Sequence, residues 1–165
     1  MVITTRQMLD LTAEDLMSRD IISIPAGMSF RAAVHRLAQT GVSGAPVIDE
    51  QGKCIGVLTR SDLVRFLDQG PQRRHTTDLN GGGFFADWQV LDFDNLPGDE
   101  VTAYMSSDVI TARPETSIAE LARRMHMGHV HRLFIVDPWD HVVGVVSAMD
   151  ILGAVASEVE PSSTE

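Results

Sequence analysis

The residues best suited to chemistry lie in two short segments, Thr59-Arg60-Ser61-Asp62 and Ser147-Ala148-Met149-Asp150. Each sets a hydroxyl three residues ahead of a carboxylate, directly after an apolar run that opens on Gly-Val (Gly56-Val57-Leu58 and Gly144-Val145-Val146). Two kinds of chemistry fit that spacing. Thr/Ser-x-x-Asp is close to a capping box, in which hydroxyl and carboxylate satisfy free backbone groups at a helix start. The same arrangement suits a nucleotide. A helix N-terminus offers N–H groups and a positive dipole end to phosphate, and the hydroxyl adds a bond. The carboxylate can accept from both hydroxyls of a ribose 2′,3′-diol. Arg60 follows Thr59 and could neutralise phosphate, whereas the matching position is Ala148.

A second group is His126, His129 and His131, with His141 further on. In an extended strand His129 and His131 would face one way and supply two metal ligands, but no third ligand or supporting shell can be identified. Polar surface, or donors facing phosphate beside Arg132, is the expectation, with a metal-dependent hydrolase using His126, His129 and His131 the lesser alternative. No Ser/His/Asp triad, paired catalytic carboxylates or Walker-type loop is present, so neither catalytic residues nor a catalytic cofactor is expected.

The elements that must position these residues occur twice. Aligned on itself without a gap, the chain lays Met17-Ser18-x-Asp20 over Met105-Ser106-x-Asp108, Ser29 over Ser117, Arg36 over Arg124, Gly56-Val57 over Gly144-Val145 and Asp62 over Asp150. Such self-similarity marks a duplication. Each copy reads as a short strand (Ile21–Ile24, Val109–Ala112) and then a helix capped by Ser29 or Ser117. Phe30, Ala33, Val34 and Leu37, and Ile118, Leu121, Ala122 and Met125, recur at helical spacing. Glu120 is expected to complete a capping box with Ser117, and Gly41 and Gly128 to stop the two helices. Two strands around a turn follow, Ala45–Ile48 with Cys54–Leu58 and Leu133–Val136 with Val142–Val146. A last helix starts near Asp62 or Asp150. The fold class is therefore α/β, two tandem β-α-β-β-α repeats over residues 11–68 and 101–157. The insert at 69–100 carries Phe84, Trp88 and Leu91 at one-face helical spacing, and 158–165 reads as a disordered acidic tail.

Bulk properties narrow the function further. A net charge of -10 over 165 residues argues against nucleic acid or an acidic membrane as partner. Cys54, the single cysteine, can make no intramolecular disulfide and reads as a small strand residue. No run approaches the ~20 apolar residues of a membrane span, and Met1–Asp10 has no signal-peptide core. A cytoplasmic protein is expected.

Met-Ser-x-Asp before the first strand, Val42-Ser43-Gly44-Ala45-Pro46-Val47-Ile48-Asp49, and Gly-x-x-Thr/Ser-x-x-Asp, in that order, resemble the CBS (cystathionine β-synthase) domain. The resemblance covers both repeats. It implies a non-catalytic regulatory pair whose clefts bind AMP, ADP, ATP or S-adenosylmethionine, and which often forms a homodimer that signals to an effector protein. Carried onto this chain, it implies that Asp62 and Asp150 hold ribose and that Thr59 and Ser147 bind phosphate or ribose. Ile22 and Ile110 would enclose adenine, with Val42, Ala45 and Pro46 in one copy and Val130 and Leu133 in the other. His131 and Arg132 stand near as phosphate donors. The second copy departs from the pattern at Ala148 and at Leu133-Phe134, which favours the first as the better site. The alternative is a ligand-free interaction or scaffold protein in which Thr-x-x-Asp only caps helices. A homodimer is expected to use apolar stripes left exposed on the helices of Phe30–Leu37 and Ile118–Met125.

Overall fold

The computed structural model describes residues 9–69 and 96–157. In the first repeat, strand β1 (Ile24–Pro25) is followed by helix α2 (Phe30–Thr40), β2 (Gly44–Ile48), β3 (Cys54–Thr59) and α3 (Arg60–Gln69). The sheet order is β1-β2-β3, with β1 parallel to β2. The second repeat runs β4 (Thr111–Ala112), α4 (Ile118–Gly128), β5 (Arg132–Val136), β6 (Val142–Ser147) and α5 (Ala148–Ala156), with the order β4-β5-β6. Both repeats are thus β-α-β-β-α. Helix α1 (Ala13–Leu16) precedes the first.

Local chemistry explains the boundaries. Ser29 caps α2 by accepting from the Ala32 N–H at 3.2 Å. Gly41 ends the helix in the left-handed conformation at φ 69°, which a residue without Cβ adopts freely. In α4, Ser117 accepts from the Glu120 N–H, but the Glu120 carboxylate does not reach back. It bonds Arg124 at 2.9 Å and also Arg123, because two guanidiniums one turn on outcompete a backbone N–H. The left-handed cap of α4 is His129 at φ 51°, not Gly128. Gly128 serves a different need: a Cβ there would stand 2.2 Å from Ile110 Cδ1. The first strand of each repeat is also shorter than its apolar run, since only Ile24 and Pro25, or Thr111 and Ala112, find partners on the neighbouring strand. Pro46 lies before the rungs that β2 shares with β1, so its missing N–H removes none of them.

Two cores result. One gathers Ile24, Phe30, Ala33, Val34, Leu37, Val47 and Leu58 with Leu96 and Val101. The other gathers Ala112, Leu121, Met125, Leu133, Ile135 and Val146 with Ala13. Phe30, Ala33, Val34 and Leu37 are all buried, as are Ile118, Leu121 and Met125. Of the stripes expected to remain partly exposed on these helices, Ala122 alone stays exposed and the other seven side chains are buried.

The chain divides into two units, and each takes up the arm that leads into the other repeat. One unit comprises the described residues up to Ile22, then Gln51–Cys54, then the described residues from Asp108. In it the Ala13 N–H donates to Thr116 O at 2.8 Å, and Ser18 and Val145 exchange backbone bonds at 2.9 and 3.0 Å. The second unit comprises Ser23–Glu50 and Ile55–Ser107. There Arg31 donates twice to Leu96 O, Tyr104 stacks on Phe30 with ring centroids 4.3 Å apart, and Val57 and Ser106 exchange backbone bonds at 2.9 Å. Both arms lay a methionine across a strand glycine, Met17 on Gly144 and Met105 on Gly56.

The expected helix of Phe84, Trp88 and Leu91, and the tail from residue 158, lie outside the described residues. Among the described residues no helix is long and apolar enough to cross a membrane.

Candidate functional site

Each repeat turns from its last strand into its last helix at the hydroxyl–carboxylate motif. At the first junction Thr59 ends β3 and Arg60 opens α3. Asp62 is 2% exposed. Its Oδ2 accepts from the Thr59 N–H at 2.8 Å and the Thr59 hydroxyl at 2.7 Å. Its Oδ1 accepts from the Ser106 hydroxyl at 2.7 Å and from Arg65 at 3.1 Å. A buried carboxylate with four charge-assisted bonds is strongly held.

The second junction repeats half of this. Asp150 Oδ2 accepts from the Ser147 N–H and hydroxyl, both at 2.7 Å, and Ser147 Oγ in turn accepts from the Asp150 N–H at 3.2 Å. Oδ1 of Asp150 has no hydrogen-bond partner among the described residues, and the residue is half-buried. Gly153 occupies the position of Arg65, and the Ser18 hydroxyl, counterpart of Ser106, also has no partner among the described residues. Arg132 opens β5 directly opposite Ser147 in the antiparallel ladder, and His131 O accepts from the Ala148 N–H at 2.8 Å.

A third copy of the motif went unread in the sequence. Asp15 Oδ2 accepts from the Thr12 N–H and hydroxyl, both at 2.8 Å. The Thr12 amide bond, then the hydroxyl bond, hold this carboxyl below its usual range against a smaller opposing effect of desolvation.

The remaining predicted residues fall into three classes. Ala45, Pro46 and Leu133 are buried in their strands, Ala45 and Leu133 as core members. Ile22, Val42, Ile110 and Val130 are half-buried, Arg60 and His131 exposed. Ile110 and Val130 are brought together over Gly128. The histidines do not converge: His126 and His129 are exposed at the end of α4, and His141 bonds Asp137 at 3.1 Å. Desolvation pushes the Asp137 carboxyl up, but bonds from the His141 N–H, the Trp139 N–H and the His141 ring outweigh it and leave it lowered. Among the described residues no three His, Cys, Asp or Glu side chains are grouped to hold a metal ion, His126, His129 and His131 included.

Ser106 and Arg65 were missed as partners of Asp62. The recurrence of Met-Ser-x-Asp marked the serine, but only the fold shows where it points.

Comparison with known proteins adds the following. The family model described as CBS domain matches residues 13–69 and 101–157. The gamma-3 subunit of 5′-AMP-activated protein kinase from Sus scrofa is 28% identical over 136 residues, 82% of this chain but only 23% of that subunit. The CBS domain pair of protein MJ0100, solved in complex with 5′-methylthioadenosine and S-adenosyl-L-methionine, superposes with a TM-score of 0.67 at 21% identity, covering 90% of this chain and 98% of that one. CBSX2 in complex with AMP superposes at 0.66 and 21% identity, covering 88% and 96%.

Proposed function

Since the chain belongs to the CBS-domain family, a regulatory rather than catalytic class of module, we propose that it binds an adenosine-containing ligand, AMP, ADP, ATP or S-adenosylmethionine, and reports occupancy to an effector protein. The observation that carries this reading is the strand-to-helix junction of each repeat, where a hydroxyl and a carboxylate meet at a helix N-terminus. Thr59 or Ser147 serves phosphate or ribose, and Asp62 or Asp150 serves ribose. Arg60, or Arg132 with His131, supplies positive charge and donors. The base lies against the half-buried Val42 backed by Ala45 and Pro46 in the first repeat, or the half-buried Ile110 and Val130 backed by Leu133 in the second. Two solved relatives carry ligands of this class. Regulation follows if the ligand binds one arrangement of the protein more tightly than another.

The test is a thermal-unfolding and calorimetric series with AMP, ATP and S-adenosylmethionine on protein stripped of co-purified ligand, whose identity mass spectrometry reads separately. Binding should stabilise the fold by about 2.7 kcal/mol at a hundredfold excess over Kd. Should none of the three bind, the scaffold reading takes over, in which the motif only caps helices. Thr12–Asp15, which has the same cap geometry, favours that second reading.

The module is proposed to be cytoplasmic and a two-fold homodimer. Its interface would lie on the exposed apolar residues of the last helices, Met149 (71% exposed), Leu152 and Val155 on α5 and their counterparts Val64 and Leu67 on α3. Sedimentation at tens of micromolar should give twice the chain mass, and Leu152→Glu should return it to the monomer value.

A further inference from the structure

We infer that the two junctions are not equivalent: the second holds the ligand, an adenosine 5′-phosphate, through Asp150 and Arg132, while the first is closed by its own bonds. This rests on the nucleotide-binding reading above.

A carboxylate has about four acceptor positions. At Asp62 the Thr59 amide and hydroxyl, the Ser106 hydroxyl and Arg65 fill all four, and the side chain is 0% exposed. A ribose diol reaches it only by displacing a protein donor. Ser106 is moreover fixed by the backbone bonds it exchanges with Val57. At Asp150 only Oδ2 is engaged. Oδ1 presents the two open positions that a cis-diol needs, on a residue that solvent reaches. The difference is written in the sequence: Gly153 replaces the arginine, and the serine of the other arm, Ser18, is exposed and does not bond the carboxylate.

Charge points the same way. Arg132 faces Ser147 across the β5–β6 ladder, and directly opposed residues share one face of a sheet. Its guanidinium has no hydrogen-bond or ion-pair partner among the described residues. The matching position in the first repeat is Gly44, where a Cβ would stand 3.0 Å from Thr59 Cγ2 and 3.1 Å from Leu58 O. The first junction therefore has no room for a strand arginine. A cation beside the phosphate-facing hydroxyl selects an anionic 5′ group, which a guanidinium binds in bidentate fashion. The order of merit expected from the motifs is inverted: the copy that departs from the family pattern is the one left open.

The experiment is calorimetric titration of stripped protein with AMP, 2′,3′-dideoxyadenosine monophosphate and 5′-methylthioadenosine, on the parent, Asp150→Asn and Arg132→Gln. Neither side chain is buried, and thermal unfolding without ligand verifies that both variants fold. The parent should take up one AMP per chain. Asp150→Asn should weaken AMP binding by at least about tenfold and abolish its advantage over the dideoxy analogue. Arg132→Gln should weaken AMP by at least about tenfold while leaving 5′-methylthioadenosine unchanged. Two equal AMP equivalents in the parent, parental affinity in Asp150→Asn, or tighter binding of 5′-methylthioadenosine than of AMP would each overturn the inference and leave the broader reading standing. A parent that binds none of the three removes both.

Discussion

At Gly144 a Cβ would stand 2.3 Å from Met17 Sδ, and at Gly56 the same distance from Met105 Sδ. Neither glycine is needed for backbone freedom, since neither has positive φ. Each is needed because a methionine crosses the strand there. Alanine must push a sulfur and its adjacent methylene out of a packed position, a small-to-large change costing about 1–3 kcal/mol. Gly144→Ala should therefore lower the urea midpoint, and adding Met17→Ala should recover part of the loss by vacating the space. A Gly144→Ala midpoint equal to the parent would show that Met17 moves aside freely. The duplicated glycine of the Gly-Val motif is thus explained by packing under the arm.

At the scale of elements, helix α1 depends on one carboxylate. Asp15 is held below its ordinary pKa by the Thr12 amide and hydroxyl. A depressed carboxyl stabilises the fold above its unfolded pKa, and that contribution disappears as pH falls through the lower folded value. Acid should therefore loosen the segment around Thr12 only below the usual aspartate range. An NMR titration of the Thr12 amide should place its midpoint there, and Asp15→Asn should abolish the transition. The repeated β-α-β-β-α order was legible in the sequence because Phe30, Ala33, Val34 and Leu37 announce a helix face, and Ser29 and Gly41 its ends. The two-residue strands β1 and β4 were not, since their limits are set by partners on β2 and β5 rather than by their own residues. Gly128 was misread as a helix stop because sequence cannot show Ile110 above it. The carboxylates of the junctions were visible by spacing alone. Their different occupancy was not, because Ser106 reaches Asp62 from a distant arm.

For the whole molecule the arms matter most. The core around Phe30 takes Leu96 from the end of the insert and Val101 and Tyr104 from just beyond it, and the core around Leu121 takes Ala13, Leu16 and Met17 from the arm ahead of the first repeat. Losing one such side chain from a core costs about 2–5 kcal/mol, against a total stability of about 5–15 kcal/mol. A chain cut between Gln69 and Leu96 should give two pieces that lack a cooperative thermal transition when separate and regain one when mixed, read by circular dichroism. Independent folding of the piece ending at Gln69 would make the Leu96–Ser107 arm dispensable. The exchange of arms also imposes a timetable on synthesis. The unit of Ser23–Glu50 and Ile55–Ser107 has all its parts once residue 107 has left the ribosome, so it can close first. The arm of helix α1 and Ser18, made before the first repeat, must wait for Thr116 and finally Val145 before its backbone bonds to the rest of its unit can form. Until then its apolar face has no partner in its own unit, and the nascent chain carries, ahead of the first repeat, an unfilled adhesive segment for a chaperone to cover.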